Sequence, residues 1–247
     1  MSAIDLSILV VGLAFAGLAK GATGMGLPLV ATPILASVFG PRMAVVIVTI
    51  PIFASNSLLL AQGWRRADVL RGLGPILVAS AIGTIIGVQL LALLDQRMFA
   101  ILIAVMVAVF LLRGDRLIGD DPTARRARVL GPLVGFFGGV LQGTTSIASP
   151  LVGSFFHSLQ LAPRDFVLVL AAVFELNSIV QVAGYALLGL FTPEVLALGL
   201  IGLVPTLLAL MAGIYLRGRL DPARFRSLIV VLLVLSTANL LYRTFFA

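Results

Sequence analysis

Lys20 is the only lysine in this 247-residue chain, and it stands within apolar sequence in the stretch Gly17-Leu-Ala-Lys-Gly-Ala-Thr-Gly-Met-Gly-Leu-Pro28. A second stretch rich in glycine and hydroxyls, Gly138-Gly-Val-Leu-Gln-Gly-Thr-Thr-Ser-Ile-Ala-Ser-Pro150, aligns with it at an offset of 122 residues: Lys20 with Gln142, Gly21 with Gly143, Thr23 with Thr145, Pro28 with Pro150. Ser149-Pro150 reads as a helix start, with serine as N-cap and proline at the first helical position, and Gly26-Leu27-Pro28 is a weaker version of it. Free N–H groups at a helix start carry partial positive charge and bind anions. Two such starts beside Lys20 would form an oxyanion cradle. Its candidate residues are Lys20, Gly21, Thr23, Gly24 and Gly26 from the first stretch, and Gln142, Gly143, Thr144, Thr145, Ser146 and Ser149 from the second. A plainer reading stands beside this one: the lysine snorkels to an interface, and the small residues let helices approach closely.

Glu175 lies near the middle of the apolar run 166–188. At 100° per residue it shares about 160° of helix surface with Asn177, Ser178 and Gln181, so one half of that helix is polar and must face protein or water. Glu175 is a candidate proton-coupling group, or else a structural partner for Lys20 or an arginine. Asn56, flanked by Ser55 and Ser57, occupies the matching place in the first half. Asn56 and Asn177 join the candidate substrate contacts, with interhelical hydrogen bonding as the alternative.

The elements that must position these groups are membrane spans. Residues are 60% hydrophobic and 11% charged, with a mean hydropathy of +1.17, against roughly 25% charged residues in soluble domains. The fold class is all-α and polytopic. Zero cysteines exclude disulfides and thiolate chemistry, and a single histidine excludes multi-His metal sites, so neither a metal nor a cofactor is expected. The net charge of +7 comes from arginines between apolar runs, which is not a nucleic-acid footprint. The N-terminus lacks the positive region of a signal peptide and is expected to remain in the mature protein.

Short apolar segments at 4–19 and 27–39 fall below the roughly 20 residues needed to span a bilayer, and longer runs follow at 43–61, 69–91 and 97–112. After a charged linker, 117–128, the pattern repeats: a short pair within 129–160, then runs at 166–188, 194–216 and 225–243. Later equivalences, such as Gly87 with Gly213, carry an offset of 126. The chain is therefore expected to comprise two repeats, 1–116 and 129–247, each a helical hairpin, re-entrant or spanning, plus three transmembrane helices. If each hairpin enters and returns on one side, 13 arginines share one side against three opposite; if each short pair crosses once, the division is nine to seven. The positive-inside rule selects the hairpins. The repeats then have inverted topology, as in many secondary transporters, with both termini periplasmic.

The paired glycine-rich hairpins, each with its following proline, and the compact length of the whole chain resemble the sulfite exporter TauE/SafE family, also called the 4-toluene sulfonate uptake permease family. The resemblance implies transport of a small anion, sulfite or an organosulfonate such as sulfoacetate, across the bacterial inner membrane. The second stretch here is less rich in glycine than the family's usual motif. The expected partners are thus a small anionic substrate and the lipid bilayer, with oligomeric state left open, a homodimer included. An anion channel would need the same cradle without alternating states. An intramembrane enzyme would need a nucleophile or metal constellation, which one histidine, no cysteine and a lone mid-membrane glutamate do not supply.

Overall fold

The computed structural model describes residues 2–113, 124–217, 219 and 221–246, and among these every regular element is helical. In chain order they are α1 (Ala3–Thr23), α2 (Leu27–Phe39), α3 (Pro41–Gly63) with a 3₁₀ run over Trp64–Leu70, α4 (Gly74–Leu93), α5 (Gln96–Arg113), α6 (Ala124–Thr145), α7 (Ser149–Ser158), α8 (Pro163–Leu187), α9 (Pro193–Leu216) and α10 (Pro222–Phe245). Seven of these helices begin with proline in the first turn, where its fixed φ suits the helix and its missing N–H is not needed. At the N-terminus Ser2 and Asp5 form a reciprocal capping box. Six described helices are long and apolar enough to cross a membrane, and the chain is a polytopic all-α protein.

Two expectations are corrected. The first hairpin limb does not stop at residue 19: α1 runs 21 residues to Thr23, passing through Gly17 and Gly21, and the unwound segment is confined to Gly24, Met25 and Gly26. Of the expected linker 117–128, residues 124–128 already belong to α6, and 117–123 lie outside the described residues. Arg116 and the side chains of Arg113, Arg125, Arg126, Arg128, Arg224 and Arg226, all used in the arginine count, also lie outside them.

The physical reason for the first correction is packing. α1 lies along α9 and α6 along α4, each pair running in the same direction, with glycines at the crossing points. A Cβ on Gly17 would stand 2.3 Å from the Thr206 carbonyl oxygen, and one on Gly21 would stand 2.2 Å from that of Leu210. On the other pair, a Cβ on Gly139 would stand 2.1 Å from the Ser80 carbonyl oxygen, and one on Gly143 would stand 2.4 Å from that of Thr84. Gly17 and Gly139 are 122 residues apart, and Ser80 and Thr206 are 126 apart, so the contacts repeat with the offsets of the sequence. In a membrane, where burial of apolar surface gives little drive for helix association, such close approach supplies van der Waals contact. These glycines hold the helices that carry the breaks.

Candidate functional site

Both breaks are built alike. Gly24 takes the left-handed conformation, φ 87°, and its N–H donates to the Lys20 carbonyl at 2.7 Å; its counterpart Ser146, φ 61°, donates to the Gln142 carbonyl at 2.9 Å. The Thr23 hydroxyl has the Ala19 carbonyl at 2.9 Å and the Met25 carbonyl at 2.8 Å as acceptors for its one hydrogen and accepts from the Met25 N–H at 3.3 Å, while the Thr145 hydroxyl donates to Leu141 and accepts from the Ile147 N–H at 3.1 Å. Both threonines therefore fasten the turns. Thr144 donates to the carbonyls of Val140 and Gly87, tying α6 to α4. With Gly21 and Gly143 in the helix crossings, these residues shape the site from behind.

The returning helices begin at equivalent places, α2 after Gly26 and α7 after Ala148. The expected serine cap is corrected here. Ser149 is the first helical residue of α7, Ala148 is the cap, and the Ser149 hydroxyl is buried with no partner among the described residues. It is free because the chain turns one residue earlier than the Ser-Pro pattern implies.

Lys20, Gly26, Asn56, Gln142 and Ser149 converge on one central cavity, closed by Met25, Pro28, Ile52 and Phe174. The cavity measures about 10 Å³, room for about one water. Lys20 is 3% exposed, and its ammonium donates to the Ser55 hydroxyl at 2.8 Å and to the Asn56 side-chain oxygen. An ammonium has three donors, so two are used and a third is left for the cavity. Both ion pairs among the described residues, Arg66–Asp165 and Arg71–Asp68, lie elsewhere. Lys20 is thus hydrogen-bonded and in no ion pair among the described residues, although Glu175 lies near enough to act on it through space. A buried cation in that condition is costly unless a counter-ion joins it.

Side chains behind the lining hold the cavity wall in place through hydrogen bonds. The Asn56 amide donates to Ser178 at 3.5 Å, joining positions 122 residues apart where α3 and α8 cross in opposite directions. Ser80 donates to the Asn177 side-chain oxygen at 2.8 Å, and the Asn177 amide nitrogen is buried without a partner among the described residues. Gln142 donates to Gln181 at 3.0 Å; the Gln181 amide nitrogen in turn has the Gln142 carbonyl at 2.7 Å, the Tyr185 hydroxyl at 3.0 Å and the Ser146 hydroxyl at 3.1 Å as acceptors for its two hydrogens, and the Tyr185 hydroxyl donates to the Gly143 carbonyl at 2.7 Å. Asn177 belongs to this scaffold and does not line the central cavity. Glu175 does not line that cavity either: one oxygen accepts from Ser57 at 2.5 Å, and the side chain lines a separate outer cavity.

Outside the centre lies a vestibule of about 380 Å³, reaching Gly26, Ser149 and Thr23 at its base and bounded by Phe110, Phe166, Phe225 and His157. Those four sit at the end of α5, the start of α8, the start of α10 and the end of α7, so the arginine-bearing ends of the helices gather around its mouth. The aromatic lining escaped sequence reasoning, because a phenylalanine in an apolar span carries no mark of facing a cavity. Arg217 escaped it too: its guanidinium donates to the Gly21 carbonyl at 2.7 and 3.2 Å and latches the end of α9 to the last turn of α1.

A multi-pass helical chain whose two glycine-rich breaks meet at a buried lysine is matched by the family description sulfite exporter TauE/SafE over residues 8–240. The chain belongs to the sulfite exporter TauE/SafE family. As a TauE/SafE protein it is a membrane transporter of sulfur anions and not an enzyme. Neither a curated protein nor a solved structure matches the chain.

Proposed function

We propose that this TauE/SafE protein is a secondary transporter of sulfite or an organosulfonate such as sulfoacetate, with its binding site at the central cavity between the two breaks. The observation that carries this reading is Lys20: a buried side chain with a spare donor, no carboxylate within ion-pair distance among the described residues and only Glu175 acting on it through space, and two helix starts lining the same void. Each start adds about half a positive charge, so an anion of charge minus one or minus two restores neutrality. The apolar vestibule favours the organosulfonate arm, since Phe110, Phe166 and Phe225 suit a carbon body and the cavity beyond suits its oxyanion.

The central cavity is too small for a sulfonate, so binding requires the hairpins to part. Gly24 and Gly26, both at positive φ, are the residues able to absorb that movement. Two repeats, 1–116 and 129–247, related by inversion, account for the twofold recurrence of the α1–α9 and α6–α4 contacts and for the antiparallel crossing of α3 and α8. Rocking of one repeat against the other would open the site alternately. The arginine-rich end, with the vestibule, is cytoplasmic, the chain sits in the bacterial inner membrane, and both termini are periplasmic. Glu175 couples proton movement to this cycle.

Flux into proteoliposomes tests the reading, using labelled sulfite, sulfoacetate and an arylsulfonate, with and without a pH gradient. Saturable, gradient-driven accumulation of at least one anion is expected. Non-saturating flux that merely follows the anion's own gradient would favour a channel.

A further inference from the structure

A separate cavity of about 290 Å³ opens on the outer face of the bundle between α3, the 3₁₀ run and α8. Its walls are Leu60, Trp64, Leu168, Ala172, Leu176 and Ile179, and one ionisable group, Glu175, lines it. Trp64 is 76% exposed and Ile179 49%, so the cavity faces the surroundings of the bundle, not the anion vestibule. Glu175 is 9% exposed; its first oxygen accepts from Ser57, and its second is buried without a partner among the described residues. At mid-span there is no bulk water to satisfy that oxygen. Lys20 acts on Glu175 through space but forms no ion pair with it, its ammonium being hydrogen-bonded to Ser55 and Asn56.

An apolar, laterally open cavity with one free carboxyl oxygen selects an N–H donor on an apolar body. We propose that it is a second binding site, for a hydrophobic amine that arrives through the bilayer in its neutral form and shares one proton with Glu175. A quaternary ammonium has no N–H to offer. A metal ion would find one carboxylate, one hydroxyl and otherwise carbon, and no group of three acidic or histidine side chains exists among the described residues. The indole of Trp64 at the rim can hold the cationic form by its ring face. The proposal concerns a different cavity from the anion site and stands whether or not Lys20 binds the transported anion.

The test is photolabelling of the full chain in phosphatidylcholine nanodiscs, with a diazirine-bearing long-chain alkylamine as probe. Saturable labelling of α3 and α8 is expected, displaced by unlabelled alkylamine but not by the matching amide or alcohol. Glu175→Gln should weaken it at least tenfold. Ala172→Phe, which fills the cavity while keeping the carboxyl, should do the same, and it carries the test if Glu175→Gln does not fold. Equal labelling by the amide, or undiminished labelling of both folded variants, would overturn the site. Suppression by added phosphatidylethanolamine would overturn the free amine as occupant in favour of the lipid ammonium.

Discussion

Lys20 and Glu175 are both buried ionisable side chains held by neighbouring residues of α3, yet they line different cavities. Lys20 meets Ser55 and Asn56 and points its remaining donor into the central cavity; Glu175 meets Ser57 and the outer cavity. If Lys20 donates directly to the anion, Lys20→Ala removes a charge-assisted hydrogen bond worth about 1.5–3 kcal/mol, a loss of roughly 10- to 150-fold in affinity. Lys20→Arg should recover only part, since a planar fork does not replace a compact ammonium in so small a void. Equilibrium binding to purified, folded variants checks this, and affinity within twofold of the parent for Lys20→Ala would assign the lysine to packing. Glu175→Gln should abolish pH-gradient-driven accumulation while leaving anion binding measurable. Unchanged accumulation at equal protein level would remove Glu175 from coupling.

At the scale of elements, the two α1–α9 and α6–α4 crossings set where the breaks lie. Gly21→Ala and Gly143→Ala would each drive a Cβ into backbone that cannot move aside as a side chain does, at 2.2 Å from the Leu210 oxygen and 2.4 Å from the Thr84 oxygen. Each should cost about 1–3 kcal/mol through overpacking, read as a lower melting temperature in detergent. Gly26→Ala is the informative contrast. A Cβ there meets open space, so its penalty comes only from φ 94°. That variant should melt closer to the parent while slowing transport, if Gly26 is part of the hinge.

For the whole molecule the decisive quantity is which end faces the cytoplasm. The ends of α5 and α7 and the starts of α8 and α10 surround one vestibule, and the Arg66–Asp165 pair ties the 3₁₀ run after α3 to the start of α8 at the same end. Reporter fusions after residues 67, 120 and 221 should all read cytoplasmic. A periplasmic signal at 221 with a cytoplasmic one at 67 would mean that the halves run parallel, and the exchange of contacts between them would need another explanation.

Much of this was legible in the chain itself. Apolar runs and prolines marked the helices to within a few residues, since in lipid each helix satisfies its own backbone and local hydropathy decides what spans. The repeat of Gly17–Pro28 at 139–150 located both breaks, and Lys20, Gly26, Asn56, Gln142 and Ser149 were named as candidates before any packing was known. Tertiary structure decided how those candidates divide. Gly21, Gly143 and Thr144 went to helix crossings, Thr145 to a turn, Thr23 to a turn and the base of the vestibule, Asn177 to the supporting network, and Glu175 to the outer cavity. The extent of α1 was likewise decided by α9, whose close approach keeps Gly17 and Gly21 helical. Which side chains share a cavity depends on segments 35 to 196 residues apart meeting in space, and no local periodicity encodes a contact between two helices that are each apolar on most of their surface.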